Sequence, residues 1–274
     1  MTMRRSSWLR NRFAFSEIVS TVILTSVMVV IIVTASYFAN DTLNFNVESV
    51  QFDQSVNAVL SLERIAKKMM FKPYSTGTVK TSFVTTDPYV VEEGTMNVII
   101  VNATGSFTIA SISASSFKIK GGDRVGVSTT YYYVGNDSLI LKGLKGSLSC
   151  VKKYQDQGAW VSLDYNRIRC VYCGEMNYYN GTSQEPSTRN LIEITVVRLS
   201  SGEISPFETS RIILENTGVE TQQILQGIGD FNIKVEFLGK EQHKSLTYLD
   251  GNATLPTLIN LTIVDFEVAV LGGG

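Results

Sequence analysis

RNRFAFSEIVSTVILTSVMVVIIVTASYFAN, residues 10–40, opens with a basic and aromatic lead and then runs from Ile18 to Asn40 without a charge. The uncharged run is 23 residues long, which as a helix rising about 1.5 Å per residue is enough to cross a hydrocarbon core. It exceeds the apolar region of an ordinary secretory signal. Cutting after Ala39 would also place Tyr37 where such a signal needs a small residue. Arg4, Arg5, Arg10 and Arg12 precede the run, and no acid occurs before residue 15. Basic residues on that side hold the N-terminus in the cytoplasm and place the chain beyond the run outside. The simplest reading is a permanent single-span anchor.

The whole chain has 274 residues, 44% hydrophobic and 18% charged, with a net charge of −1. That is enough to bury a sizeable core, and the charge balance argues against a nucleic-acid partner. Setting aside the first 14 residues leaves 20 basic residues against 25 acidic ones.

The segment behind the run changes the simple anchor reading. DTLNFNVESVQFDQSVNAVLSLERIAKKMMF, residues 41–71, contains neither Pro nor Gly and repeats Phe45, Phe52, Val56, Val59, Leu62, Ala66 and Met69 on one helical face. Glu48, Asp53, Glu63, Arg64, Lys67 and Lys68 fall on the other side, with Glu63 and Lys67 in the favourable four-residue order. Lys67, Lys68 and Lys72 suit a helix C-terminus, and Pro73 stops the pattern. The apolar run is therefore expected to continue unbroken into an amphipathic helix that packs on the rest of the chain.

These residues resemble the archaeal type IV pilins and their prepilins. The resemblance rests on RNRFAFSEIVSTVILTSVMVVIIV: basic residues, Ala14, the step Phe15-Ser16-Glu17, then an apolar helix rich in Val, Ile, Thr and Ser. It covers about 25 residues. It implies a class III signal peptide cut by a prepilin peptidase at the Ala14-Phe15 bond, so that the apolar helix stays on the mature chain. Phe13 stands where family leaders often carry Lys or Arg, and Glu17 is third in the mature chain where bacterial relatives have their acid fifth. The implied use is a cell-surface filament, most readily for adhesion. An archaellin-type motility filament or a minor pilin is the runner-up, and a membrane-anchored β-rich ectodomain is an alternative from another class. The implied partners are identical subunits in a helical homopolymer, the prepilin peptidase, an assembly ATPase, a membrane platform protein, and the membrane itself before assembly. Glu17 has two readings, pairing with the new Phe15 amine of a neighbour or favouring the helix dipole. Ser20, Thr21, Thr25, Ser26, Thr34 and Ser36 offer small surfaces for close helix packing, or hydroxyls bonded back to the preceding turn.

From Thr78 onward the period changes. TMNVIIVNA, SFTIASIS, VGVSTTYYYV, NLIEITVVRL, SRIILEN, FNIKVEFLG and LTIVDFEVAV are short β-branched and aromatic runs between Gly, Asn, Asp and Ser clusters. They predict ten or more strands and no second long helix. The expected fold is α+β, a single long N-terminal helix followed by an all-β, immunoglobulin-like sandwich. The segments are a leader 1–14, a helix 15–72 and a head 73–274, read as one continuous unit, with LKGLKGSLSC near residue 145 as the best candidate boundary if the head were two stacked sandwiches.

Asn-x-Ser/Thr sequons stand at Asn40, Asn102, Asn136, Asn180, Asn252 and Asn260. Asn136, Asn180 and Asn252 read as turns, Asn102 and Asn260 as strand, and Asn40 as the membrane edge. Cys150 is expected to form a disulfide with either Cys170 or Cys173, closing a loop of about 20 residues worth roughly 3 kcal/mol. A zinc site needs about four ligands, and the chain has one His, His243, and a single C-x-x-C pair. One His also excludes most Ser/His/Asp and Cys/His chemistry, and no P-loop or dinucleotide fingerprint is present. No enzyme, cofactor or metal is expected. Glu92-Glu93-Gly94 reads as a hairpin loop, GIGDFN at 227–232 as a turn before a strand, and Tyr131-Tyr132-Tyr133 and Tyr178-Tyr179 as aromatic clusters divided between core, surface and adhesion.

Overall fold

A computed structural model describes the backbone of residues 7–179 and 187–272, and side chains from residue 19 onward. Helix α1 spans Ser7–Met69 without interruption, as expected from a stretch free of Pro and Gly. Two compact units share it: residues up to Val47 form one, and Glu48 onward forms the other. The helix-to-head boundary expected near residue 72 is thus displaced, because the amphipathic half of α1 belongs to the head.

Thirteen strands come after it among the described residues, β1 (Thr76–Ser82), β2 (Asp87–Asn102), β3 (Gly105–Lys120), β4 (Tyr131–Val134), β5 (Ile140–Lys142), β6 (Cys150–Gln155), β7 (Ala159–Asp164), β8 (Ile168–Tyr178), β9 (Ser187–Ser205), β10 (Thr209–Gln226), β11 (Asn232–Phe237), β12 (Lys240–Ser245) and β13 (Thr257–Gly272). The only other helical element described is a 3-10 turn, Thr247–Leu249. One sheet has the order β1-β10-β13-β9-β8-β5 and the other β12-β11-β2-β3-β7-β6-β4. The α+β sandwich is borne out, in a larger format than the seven- to nine-stranded immunoglobulin type. Two of its ladders, β9 with β13 and β5 with β8, are parallel. The segment near residue 145 is a connection between β5 and β6 and marks no domain boundary. Glu92, Glu93 and Gly94 lie inside β2 at a bulge opposite Ser115 and Ala114. The expected hairpin loop is corrected: one extra residue is accommodated within the ladder.

The head has two cores. In the first, Phe52, Val56, Val59, Leu62, Ala66 and Met69 of α1 pack with Phe117 and Ile119 of β3, Leu163 of β7, Leu199 of β9, Leu214 of β10 and Phe266 of β13. In the second, Met96, Val98 and Ile100 of β2 and Ile112 of β3 meet Ile192, Ile194 and Val196 of β9 and Ile259 and Leu261 of β13. Along β9 the core side chains are Ile192, Ile194 and Val196 and then Val197 and Leu199, and along β13 they are Ile259 and Leu261 and then Val264, Phe266 and Val268, so the buried parity reverses in both. The β9–β13 register runs without a slip from Thr257↔Asn190 to Val268↔Ser201. Because side chains alternate strictly across an unslipped strand, the two cores lie on opposite faces of that ladder. One set of long strands therefore serves both cores and makes the head one unit.

The C-terminus of α1 is held by β10. Asn216, at a bulge in β10, donates through Nδ2 to the carbonyls of Met69 (2.8 Å) and Met70 (3.3 Å). Its backbone exchanges bonds with the turn after the helix, Tyr74 N–H to Asn216 O and Asn216 N–H to Ser75 O. Terminal helix carbonyls have no intrahelical donors, and a strand side chain supplies one here. Gln51 accepts from the Thr85 amide (2.8 Å) and hydroxyl (2.6 Å), tying the β1–β2 connection to the helix.

Candidate functional site

Two features carry chemistry: the apolar half of α1 and a polar cavity in the head. Every described residue of α1 from Val19 to Val47 is exposed except Asn44, which is half-buried. By length and composition this helix is apolar enough to cross a membrane, a test that a signal sequence near an N-terminus also passes. Its hydroxyls are largely turned inward along the helix. Thr25 donates to the carbonyls of Thr21 and Val22, Ser26 to Val22, Thr34 to Val30 and Thr42 to Phe38, at 2.7–3.0 Å. The reading of Thr25, Ser26 and Thr34 as hydroxyls bonded back to the preceding turn holds, so their surface is small and polar-satisfied, not donor-rich. Phe45 is exposed, so the stripe predicted from Phe45 to Met69 is buried only from Phe52 onward. Ala14, Phe15 and Glu17 lie within the helical backbone of α1, and their side chains are outside the described residues.

Glu63, placed on the polar side by periodicity, is instead 3% exposed. Its Oε1 accepts from Ser149 (2.6 Å) and Ser147 (3.1 Å) and pairs with Lys67 Nζ at 2.6 Å. The predicted Glu63–Lys67 pair forms, but the serines of the β5–β6 connection turn it into a buried clamp on that connection. Nothing in the helical period announced this, since the serines are 84 and 86 residues away.

The cavity, about 120 Å³, is lined by the β2 bulge (Glu93), the β4–β5 loop (Asp137), the start of β6 (Cys150, Lys152), the end of β7 and the turn after it (Asp164, Arg167) and the start of β12 (Lys240). Glu93 accepts from Ser116 (2.7 Å) and Asn166 (2.7 Å) and pairs with Lys118 at 2.8 Å. Burial opposes its ionisation, but the Lys118 and Ser116 bonds outweigh burial and hold its carboxyl below the usual range. Asp137 accepts from the Tyr132 hydroxyl at 2.7 Å, which lowers its pKa. Burial pushes Asp164 up, against the pull of Lys152 and Arg167, and burial also raises the Cys150 thiol to about 11. Arg167 is 3% exposed. Its Nη2 donates to the Asn136 carbonyl, while Nε and Nη1 are buried with no hydrogen-bond acceptor among the described residues. Gly135, at φ 75°, lies against this guanidinium: a Cβ there would come within 2.9 Å of Nη1 and 2.7 Å of the Ser149 carbonyl. Only a residue without a side chain tolerates both the backbone and the close approach.

The expected disulfide is not present. Cys150, Cys170 and Cys173 are free thiols, the first two buried and the third exposed. Cys150 lines the polar cavity, whereas Cys170 points into the second core, on a strand of the other sheet. Cys173 is the extra residue of a bulge in β8, between Tyr172 and Gly174, and is exposed. Among the described residues no group of His, Cys, Asp and Glu is placed to hold a metal ion.

The sequons separate by environment. Asn102 closes β2, and its Oδ1 accepts from the Thr104 amide and hydroxyl, so it sits at a turn where strand was expected. Asn136 accepts from the Ser138 amide, and Asn252 from the Thr254 amide and hydroxyl. Asn260 pairs with Gln223 on one side and Glu193 on the other, inside the sheet. Asn40 is exposed on α1, and Asn180 lies outside the described residues. Tyr131 and Tyr133 form an edge-to-face pair, 4.8 Å between centroids, on the edge strand β4. Tyr178 stacks under Arg189, and Tyr179 is exposed.

Comparison with protein-family models, with curated proteins and with solved structures returns no match.

Proposed function

We propose that this chain is the subunit of an extracellular type IV pilus-like filament of the archaeal kind, used for surface adhesion and polymerising through the N-terminal half of α1. The observation that supports this is the run from Val19 to Ala39, uncharged, mostly apolar and exposed along its whole length. A surface of that kind is stable in water only when something else covers it. Lipid is one cover, because the helix satisfies its own backbone and much of its hydroxyl content. Identical helices are the other, and their advantage over lipid must come from close packing around small residues such as Ser20, Ala35 and Ser36. In this reading the precursor waits in the cytoplasmic membrane with its N-terminus inside, a prepilin peptidase cuts at Ala14-Phe15, and an assembly ATPase with its platform protein moves the helix into the filament. A motility filament or a minor pilin would share these steps. Glycans at Asn102, Asn136 and Asn252 would shield the outward head.

A second reading has the same observation behind it. If lipid is the permanent cover, the chain is a single-span protein with a β-rich ectodomain. Mass spectrometry of the N-terminus of surface-recovered protein separates the two: a chain starting at Phe15 supports filament processing, and one starting at Met1 or Thr2 overturns it. Ala14→Leu should leave the precursor uncut in the membrane, and unchanged mobility of the product would discard that cleavage site.

A further inference from the structure

We propose that the cavity beside Arg167 is a binding site for a small oxyanion, a carboxylate or a sulfate- or phosphate-like group. It concerns the head alone and stands whether or not the chain assembles.

Charge and its partners carry the argument. Three cations, Arg167, Lys152 and Lys240, line the cavity, and none of them has a carboxylate within 4.0 Å among the described residues. The acids that line the same space make their short contacts elsewhere. Glu93 is taken by Lys118, Ser116 and Asn166; Asp137 accepts from Tyr132, and its charge attracts Lys240, Lys152 and Arg167 from beyond ion-pair distance. Asp164 accepts the Asn166 amide, and burial raises its pKa against the pull of Lys152 and Arg167. The Cys150 thiol also stays neutral near pH 7, so it supplies no counter-charge.

Arg167 is the decisive group. Its guanidinium is buried with two nitrogens lacking an acceptor among the described residues, and buried charged donors left unpartnered are among the most costly arrangements in a protein. A planar fork of N–H groups matches the paired oxygens of an oxyanion. The volume fits as well: about 120 Å³ leaves room for one such group. Lys240 is exposed at the rim and Lys152 half-buried, so the charge extends from the buried guanidinium out to solvent, as an entry path for an anion requires.

The test is equilibrium dialysis of the full chain in non-ionic detergent, with radiolabelled sulfate and radiolabelled acetate as separate probes at fixed ionic strength. Saturable binding of at least one probe with a single site per chain is expected, and the preferred probe identifies the tetrahedral or the planar group. Lys240→Glu, at an exposed position, should weaken that binding at least tenfold while the thermal unfolding midpoint stays within about 2 °C. Lys80→Glu, the same charge change on the exposed strand β1, should leave it unchanged. Arg167→Lys should abolish it in protein that retains its circular dichroism spectrum. No saturable binding of either ion, or equal weakening by Lys240→Glu and Lys80→Glu, would overturn the site.

Discussion

Between Val19 and Ala39, α1 carries exposed, mostly apolar side chains on every side; between Phe52 and Met69 it buries one face against the head and leaves Asp53, Asn57, Arg64 and Lys68 in solvent. A helix apolar on every side must be enclosed, whereas a striped helix needs only one packed surface. The comparison shows that the pattern counts how many sides will be covered. In the second half the cover is supplied by strands of both sheets; the first half is exposed along its length.

The sharpest way to break this contrast is a truncation in each half. Leu62→Ala, at a fully buried position, should cost about 3–4 kcal/mol in denaturant unfolding of the head, while Val30→Ala should change the same measurement by less than about 0.5 kcal/mol. Equal effects would mean that both halves are packed by the chain itself. Val30→Asp carries the contrast into the membrane: a central charge costs about 3 kcal/mol on insertion scales, so membrane fractionation should show reduced insertion with the head's unfolding midpoint unmoved. Normal insertion and normal filaments from that variant would discard the apolar-core role.

Smaller effects sharpen the picture of the buried half. Glu63→Leu removes the shared acceptor of Ser147, Ser149 and Lys67 and should destabilise the head by about 1–3 kcal/mol. A neutral result would return Glu63 to the solvated face that periodicity assigns it. Asn216→Ala withdraws the donor from the end of α1 at a cost of about 1–2 kcal/mol; hydrogen exchange should show the loss first in the last helical turn. The smallest effect is electrostatic. Burial raises the Cys150 thiol to about 11 and the Cys170 thiol to about 12, from an ordinary value of 9.0. Above pH 9 the unfolded chain loses these protons while the folded chain keeps them, so their contribution to stability falls as pH rises from 9 toward 12 and has no slope below it. The Cys150→Ala, Cys170→Ala double variant should flatten that part of the curve. In the folded chain Cys173 alone should react with a maleimide.

Much of the head was legible as strand because the runs in β2, β3, β9, β10, β11 and β13 are β-branched and bounded by turn residues. Their lengths were not: NLIEITVVRL predicts a strand of about ten residues, but β9 runs for 19, continuing through Ser200 and Ser201, which read as a break. VGVSTTYYYV predicts a strand from Val125, and only Tyr131–Val134 pairs, since Val125 and Val127 are buried in the first core from a loop. The cavity was illegible for a different reason. Its residues come from five segments between Glu93 and Lys240, and no spacing in the chain links them. The disulfide expectation failed because spacing bounds the loop it would close and says nothing of which sheet or face each sulfur occupies.

By itself the sequence determined that one long helix, apolar then striped, precedes a β-rich head, because hydrophobic period and Pro and Gly placement act through neighbours in the chain. Tertiary structure alone decided that Glu63 is buried, that the two cores lie on opposite faces of the β9–β13 ladder, and that Arg167, Lys152 and Lys240 share one cavity. Those outcomes depend on strand register and on contacts between residues far apart in sequence, which a local pattern does not encode.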